Sequence, residues 1–210
     1  MSKVLVIKAT PRDERSRSMR IARAFVAAYE AANPGDEIEW LDVFAEDIPE
    51  FDALAAEGKY RVMRMQEHEG EEAERWQQVV ASAEHFKSFD KYVIVSPMWN
   101  FSVPYRLKLY IDTILQPSLT FSYDPDSGYF GLVGDKPVMV LGSRGGAYTE
   151  ELGTAGYDFH LPYLKAVLWL MGLTNVKSVI AEPVDMMGPE VGEEMVAAAE
   201  AEATEAAAAF

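Results

Sequence analysis

Tyr92-Val93-Ile94-Val95-Ser96-Pro97-Met98-Trp99-Asn100-Phe101 is the stretch that decides the fold. Its first four residues are continuously apolar where a half-exposed strand would alternate, so they predict a strand buried on both faces of a parallel sheet. Open α/β sheets hold their ligands beyond the carboxyl ends of such strands, which makes Ser96 to Phe101 a site by position. The residue types fit a flat ligand with one polar edge. Met98, Trp99 and Phe101 offer soft or planar apolar contact, Asn100 adds a donor and an acceptor, and Pro97 with Pro104 stiffens the turn. Taken alone, the same aromatics are equally well explained as core filling.

Outward from this strand, the pattern repeats. Val4 to Ile7 is an apolar strand ended by Ala9-Thr10-Pro11, and Ile21, Phe25, Ala28, Tyr29 and Ala32 then recur at helical spacing as far as Asn33-Pro34-Gly35. Glu37 to Val43 alternates, which predicts an edge strand. Residues 44–70 show no clear period and stay open between a solvated helix, a lid and a partner-contacting segment, the solvated helix being the plainer reading. Trp76, Val79, Val80, Ala83 and Phe86 mark a helix leading into the strand at 92–95.

Leu107, Tyr110, Ile111 and Ile114 mark another helix, ended near Pro117. Residues 119–133 read as a short inserted hairpin around Asp124-Pro125-Asp126-Ser127, its aromatics open between core and surface platform. Val138 to Leu141 is the fourth strand. A helix with Pro162 in its first turn and Gly172 beyond its end follows, then a fifth strand, Val176 to Ile180. Residues 189–208 form an Ala- and Glu-rich helix with a weak apolar face and an expected frayed end. Strands alternating with helices predict one α/β domain over 1–210, a doubly wound five-stranded parallel sheet with helices on both faces.

Composition narrows the chemistry. With 19 basic and 34 acidic residues the net charge is −15, which opposes nucleic acid and anionic membrane as partners. There is no cysteine, so disulfides, thiolate metal sites and thiol nucleophiles are excluded, in keeping with a cytoplasmic protein. No apolar run approaches a membrane span or a signal segment. Residues 178–210 hold eight acids and neither Lys nor Arg, whereas Arg12, Arg15, Arg17, Arg20 and Arg23 crowd together, a basic corner that suits an anion.

In a doubly wound sheet the loops after strands 1, 3 and 4 meet at one edge. The first carries hydroxyls at Thr10, Ser16 and Ser18 before a helix, the arrangement that takes a phosphate. The last, Ser143-Arg144-Gly145-Gly146, allows close backbone approach to a flat ligand. A Gly-x-Gly-x-x-Gly fingerprint and a Gly-Lys-Ser/Thr loop are both absent, favouring a mononucleotide such as FMN over NAD or ATP as the bound cofactor.

Here the sequence resembles the FMN-dependent NADH azoreductases, also described as NAD(P)H:quinone oxidoreductases. Ser16-Arg17-Ser18 matches the family's Ser-x-Ser phosphate loop, Met98-Trp99-Asn100-Phe101 its Met-Tyr-Asn-Phe ring loop, and Ser143 to Gly146 its Ser-Arg-Gly-Gly loop. Thr10 stands where the family often has serine, and Trp99 replaces the usual tyrosine. The resemblance implies a flavodoxin-like fold with strand order 2-1-3-4-5. It implies FMN bound by Thr10, Ser16, Arg17, Ser18, Pro97 to Phe101 and Ser143 to Gly146. NADH or NADPH is the implied donor, with quinones or azo compounds as small-molecule acceptors.

The implied cycle is ping-pong hydride transfer through flavin N5, with no catalytic side chain and no metal. A homodimer with the FMN sites at its interface is implied as well. The main rival is a flavodoxin-like electron carrier serving a protein partner, and the second a binding module that has lost its cofactor. His68, His85 and His160 show no metal or triad spacing. His160 is expected to cap a helix or lie at the surface rather than donate a proton, and Arg144 is open between guiding an anion and a surface ion pair.

Overall fold

The computed structural model describes residues 1–210. In chain order the elements are β1 Lys3–Lys8, α1 Arg17–Ala32, β2 Glu37–Asp42, α2 Ala53–Met63, α3 Gly70–Lys87, β3 Lys91–Pro97, α4 Tyr105–Ile114, β4 Phe121–Asp124, β5 Gly128–Gly131, β6 Val138–Ser143, α5 Leu161–Leu170, β7 Val176–Ala181 and α6 Pro189–Ala207. The parallel sheet has the order β2-β1-β3-β6-β7, which is 2-1-3-4-5 once the separate β4–β5 hairpin is set aside. Strand β2 lies at an edge, as its alternation predicts.

Because successive strand residues point to opposite faces, the two sides of the sheet sort cleanly. Leu5, Ile7, Tyr92, Ile94, Val138 and Val140 pack with Phe86 of α3, Leu107 and Ile111 of α4, and Leu164 and Leu168 of α5. Val4, Val6, Val93, Val95, Met139 and Leu141 pack with Phe25 and Tyr29 of α1 and Val196, Ala199 and Ala203 of α6. Burying a Val, Leu or Ile side chain stabilises by about 1.5–3 kcal/mol, so these two layers dominate the fold.

The unreadable segment resolves into a solvated helix. α2 buries only Ala55 and Gly58 and leans on α3, where a side chain at Gly58 would stand 3.0 Å from Trp76. His68 stacks on Trp76 with its Nε2 2.8 Å from the Gly58 carbonyl oxygen, which gives that histidine a structural place. The hairpin aromatics form a surface platform: Tyr123, Tyr129 and Phe130 are 59, 58 and 46% exposed. Behind them, Gly131 meets Gly172 backbone to backbone, and a Cβ on Gly131 would lie 2.0 Å from the Gly172 nitrogen.

The frayed C-terminal end is not found. Small residues on α6 let it pack closely on α1, and Phe210 sits against Phe25 and Tyr29 at ring-centroid distances of 5.3 and 5.8 Å. Lys91 Nζ then donates to the Phe210 carbonyl oxygen at 2.8 Å and to Tyr29 Oη at 2.9 Å.

Candidate functional site

Strand register brings the loops together. Ala9 N–H donates to the Val95 carbonyl at 2.8 Å, Pro97 is paired with Ser143, and Ser143 with Ala181. The chain therefore leaves β1, β3, β6 and β7 at one level. There it encloses a cavity of about 330 Å³, lined by Thr10, Arg12, Arg15, Ser16, Arg17, Pro97, Met98, Trp99, Ser143, Gly145, Val184 and Asp185.

One wall is the start of α1. Ser16 is its N-cap, with its hydroxyl accepting from Met19 N–H at 3.4 Å, while the N–H groups of Arg17 and Ser18 make no hydrogen bond within the chain. Such free N–H groups at a helix N-terminus favour an anion. Ser18 is fully buried, 3.1 Å from the Ser16 hydroxyl, and holds the cap from behind without reaching the cavity.

The second wall follows β3. Trp99 and Ser102 exchange N–H to carbonyl bonds of 2.8 and 2.9 Å, closing a two-residue turn in which Asn100 and Phe101 have φ of 47° and 71°. This left-handed turn leaves the N–H groups of Asn100 and Phe101 without partners in the chain. Both side chains point outside the cavity lining, and Phe101 packs near Tyr157 at 5.6 Å. Trp99 is backed by Phe44, which in turn meets Tyr105, at centroid distances of 5.8 and 5.6 Å. Arg106 fixes that contact by donating to the Val43 and Glu46 carbonyls at 2.6 and 2.7 Å.

The third wall is the loop after β6. Ser143 and Gly145 line the cavity; Gly146 and Arg144 do not. Arg144 is neither an anion guide nor a surface pair. It is 4% exposed, with its guanidinium nitrogens 2.9 Å from Asp158 Oδ2 and 3.2 Å from Glu182 Oε2, so it ties this loop to the chain after β7. His160 is not a surface residue; it is the N-cap residue of α5, as expected, but caps through its backbone carbonyl, which accepts from Leu164 N–H at 3.1 Å, while its side chain makes no capping bond. It is wholly buried, with Nε2 3.1 Å from Ser96 Oγ and Nδ1 unpaired. Burial, with the Arg144 charge nearby, pulls its pKa down to about 4 and keeps it neutral.

Val184 and Asp185 were missed by sequence reasoning. The usable signal was their position just past the fifth strand, at the same edge as the other three loops. Val184 N–H donates to the Arg144 carbonyl at 2.9 Å and Asp185 N–H to the Gly145 carbonyl at 3.0 Å, which clamps this segment onto the third wall. Asp185 Oδ1 also accepts from Arg17 at 2.5 Å across the cavity.

A family described by its flavodoxin-like fold matches residues 2–207. An FMN-dependent NADH:quinone oxidoreductase of Nitratidesulfovibrio vulgaris strain DP4 is 46% identical over 193 residues, covering 92% of each chain. The crystal structure of an azoreductase from Bacillus anthracis strain Sterne superposes with a TM-score of 0.91 at 32% identity over 100% of both chains. An FMN-dependent NADH-azoreductase of Bacillus anthracis strain Ames Ancestor, solved in complex with FMN, gives a TM-score of 0.85 at 28% identity, covering 99% of this chain and 100% of that one.

Proposed function

The chain belongs to the family with the flavodoxin-like fold, and from that premise we propose that it is an FMN-dependent oxidoreductase. It uses NADH or NADPH to reduce quinones to hydroquinones and to cleave aromatic azo bonds to amines. The observation that carries this reading is the convergence of a hydroxyl-rich helix start, an aromatic turn with free N–H groups and a glycine loop on one cavity at the carboxyl edge of the sheet. FMN fits these donors: its phosphate suits Thr10, Ser16 and the free N–H groups of Arg17 and Ser18, and its ring suits the other two walls.

When bound, FMN supplies the redox chemistry by taking two electrons as hydride from the nicotinamide and giving them to the acceptor. The chain's own residues bind and orient. The free N–H groups of Asn100 and Phe101 would hold the ring's polar edge and would stabilise negative charge there. Met98 and Trp99, backed by Phe44, would keep water from the apolar edge. Ser143 and Gly145 would flank the remaining side, and Ser18, through Ser16, and Arg144, through Asp158 and Glu182, hold these walls in place. No side chain is needed as a nucleophile.

The reading includes a homodimer with its FMN sites at the interface. The exposed aromatics beside the cavity, Phe101, Tyr105, Tyr157 and Phe159, at 47, 68, 55 and 56% exposure, support it as surface awaiting a second copy. The cytoplasm is the proposed compartment, supported by the absence of cysteine; no helix is long and apolar enough to cross a membrane. The test is an anaerobic absorption spectrum before and after NADH and then a benzoquinone. Flavin bands that bleach and return are expected, and a protein that stays colourless after incubation with FMN refutes the proposal.

A further inference from the structure

Of the five arginines between residues 12 and 23, the folded chain commits three to its own carboxylates. Arg17 pairs with Asp185 at 2.5 Å, Arg20 with Glu193 and Glu200 at 2.7 and 2.9 Å, and Arg23 with Asp13 at 2.5 Å. Arg12 and Arg15 belong to no ion pair, are exposed, and line the cavity. Around that cavity three guanidiniums therefore face a single carboxylate, Asp185, and that carboxylate is already matched by Arg17. On a chain of net charge −15, two surplus positive charges at one cavity are a local exception.

A hydroxyl and N–H cradle favours an anion through partial charges alone. Two unpaired guanidiniums add full charges to that preference. A phosphate monoester carries about −1.5 to −2 at neutral pH, which matches the surplus, whereas an uncharged ribityl hydroxyl offers it nothing. We infer that Arg12 and Arg15 are specificity-determining residues for the 5′-phosphate of the cofactor, making the cavity select FMN over riboflavin by charge. This rests on the FMN reading of the cavity. It adds two residues outside the three recognised loop motifs and assigns them to discrimination between flavins.

The test is fluorescence titration of the flavin-free full chain with FMN and with riboflavin, at low and high sodium chloride. The proteins are wild type, the double variant Arg12→Gln/Arg15→Gln, and Lys177→Gln as a charge control on the exposed side of β7. The double variant should raise the FMN dissociation constant at least about tenfold, as expected for losing a charge-assisted contact, and leave that of riboflavin within about twofold. Wild-type FMN binding should weaken with salt more steeply than the variant's, because screening removes what the arginines supply. Lys177→Gln should behave as wild type.

An unchanged FMN-to-riboflavin ratio in the double variant overturns the inference. Equal loss of both flavins overturns it too, because it places the arginines in the fold instead of at the phosphate. A wild-type chain that binds neither flavin overturns the function beneath it, a result distinct from either.

Discussion

Gly192→Ala should both destabilise the fold and loosen the cavity. Gly192 has an ordinary negative φ inside α6, so its backbone does not require glycine, and helix propensity alone would favour alanine by about 1 kcal/mol. What forbids alanine is contact. A Cβ there would stand 2.2 Å from the Val184 carbonyl oxygen and 3.0 Å from its carbon, and both are backbone atoms that cannot rotate away. Ordinary carbon–oxygen contacts begin near about 3.3 Å, so α6 and the chain after β7 must separate by about 1 Å. Overpacking of this kind costs about 1–3 kcal/mol, and with backbone on one side the upper end applies, leaving a net loss of about 2 kcal/mol.

For a chain of this length that corresponds to a fall in Tm of about 4–8 °C, measurable by scanning calorimetry. The displaced segment carries Val184 and Asp185, which line the cavity and are bonded to the backbone of Arg144 and Gly145. The FMN dissociation constant, read by fluorescence, should therefore rise several-fold. A Tm at or above that of wild type with unchanged FMN affinity would refute the reasoning, because the α6 contact would then neither limit packing nor position the wall.

Three further outcomes follow from other parts of the molecule. His160 has a folded pKa near 4 against an ordinary 6.5, so the unfolded chain binds its proton first, and stability that is complete above pH 6.5 falls as pH drops toward 4, by up to about 3 kcal/mol. His160→Gln should flatten urea-measured stability across that window, and an undiminished slope would remove His160 from the titration. Asn100→Gly should keep FMN affinity within about twofold while Asn100→Val, strained by about 1–2 kcal/mol at a left-handed φ of 47°, should weaken it; equal loss in both would mean that the side chain matters and not the backbone N–H. Lys91→Met removes the donors to Phe210 and Tyr29, and should cost about 1–3 kcal/mol and speed hydrogen exchange in the last turn of α6; unchanged exchange would show that the aromatic contacts hold that end alone.

Much of this architecture was legible because the five strands are marked by apolar runs or alternation and the loops between them by Pro, Gly and hydroxyl residues. The meeting of the loops at one edge followed from the doubly wound sheet, and the order of the strands came with the resemblance. Residues 44–70 were illegible because α2 covers only the Trp76 side of α3, and a helix burying Ala55 and Gly58 leaves almost no periodic trace. The end of α6 looked loose because alanines make a weak apolar face until α1 is laid against them. Arg144 and the side chain of His160 were misplaced for a related reason. Their partners, Asp158 and Glu182 for Arg144 and Ser96 for His160, lie on other elements of the chain, and no local pattern announces a buried ion pair or a buried imidazole.

The packing of α1 against α6 has a consequence for the order of folding. These helices are separated by most of the chain, and the neighbouring strands β1 and β3 are paired across more than eighty residues, so few sheet-face contacts are local. During synthesis the apolar face of α1, with Phe25 and Tyr29, emerges early and is covered only in part, by strands β1, β3 and β6, until α6 leaves the ribosome. Slow acquisition of native structure and dependence on chaperones at high expression are the expected cost of building one layer from opposite ends of the chain.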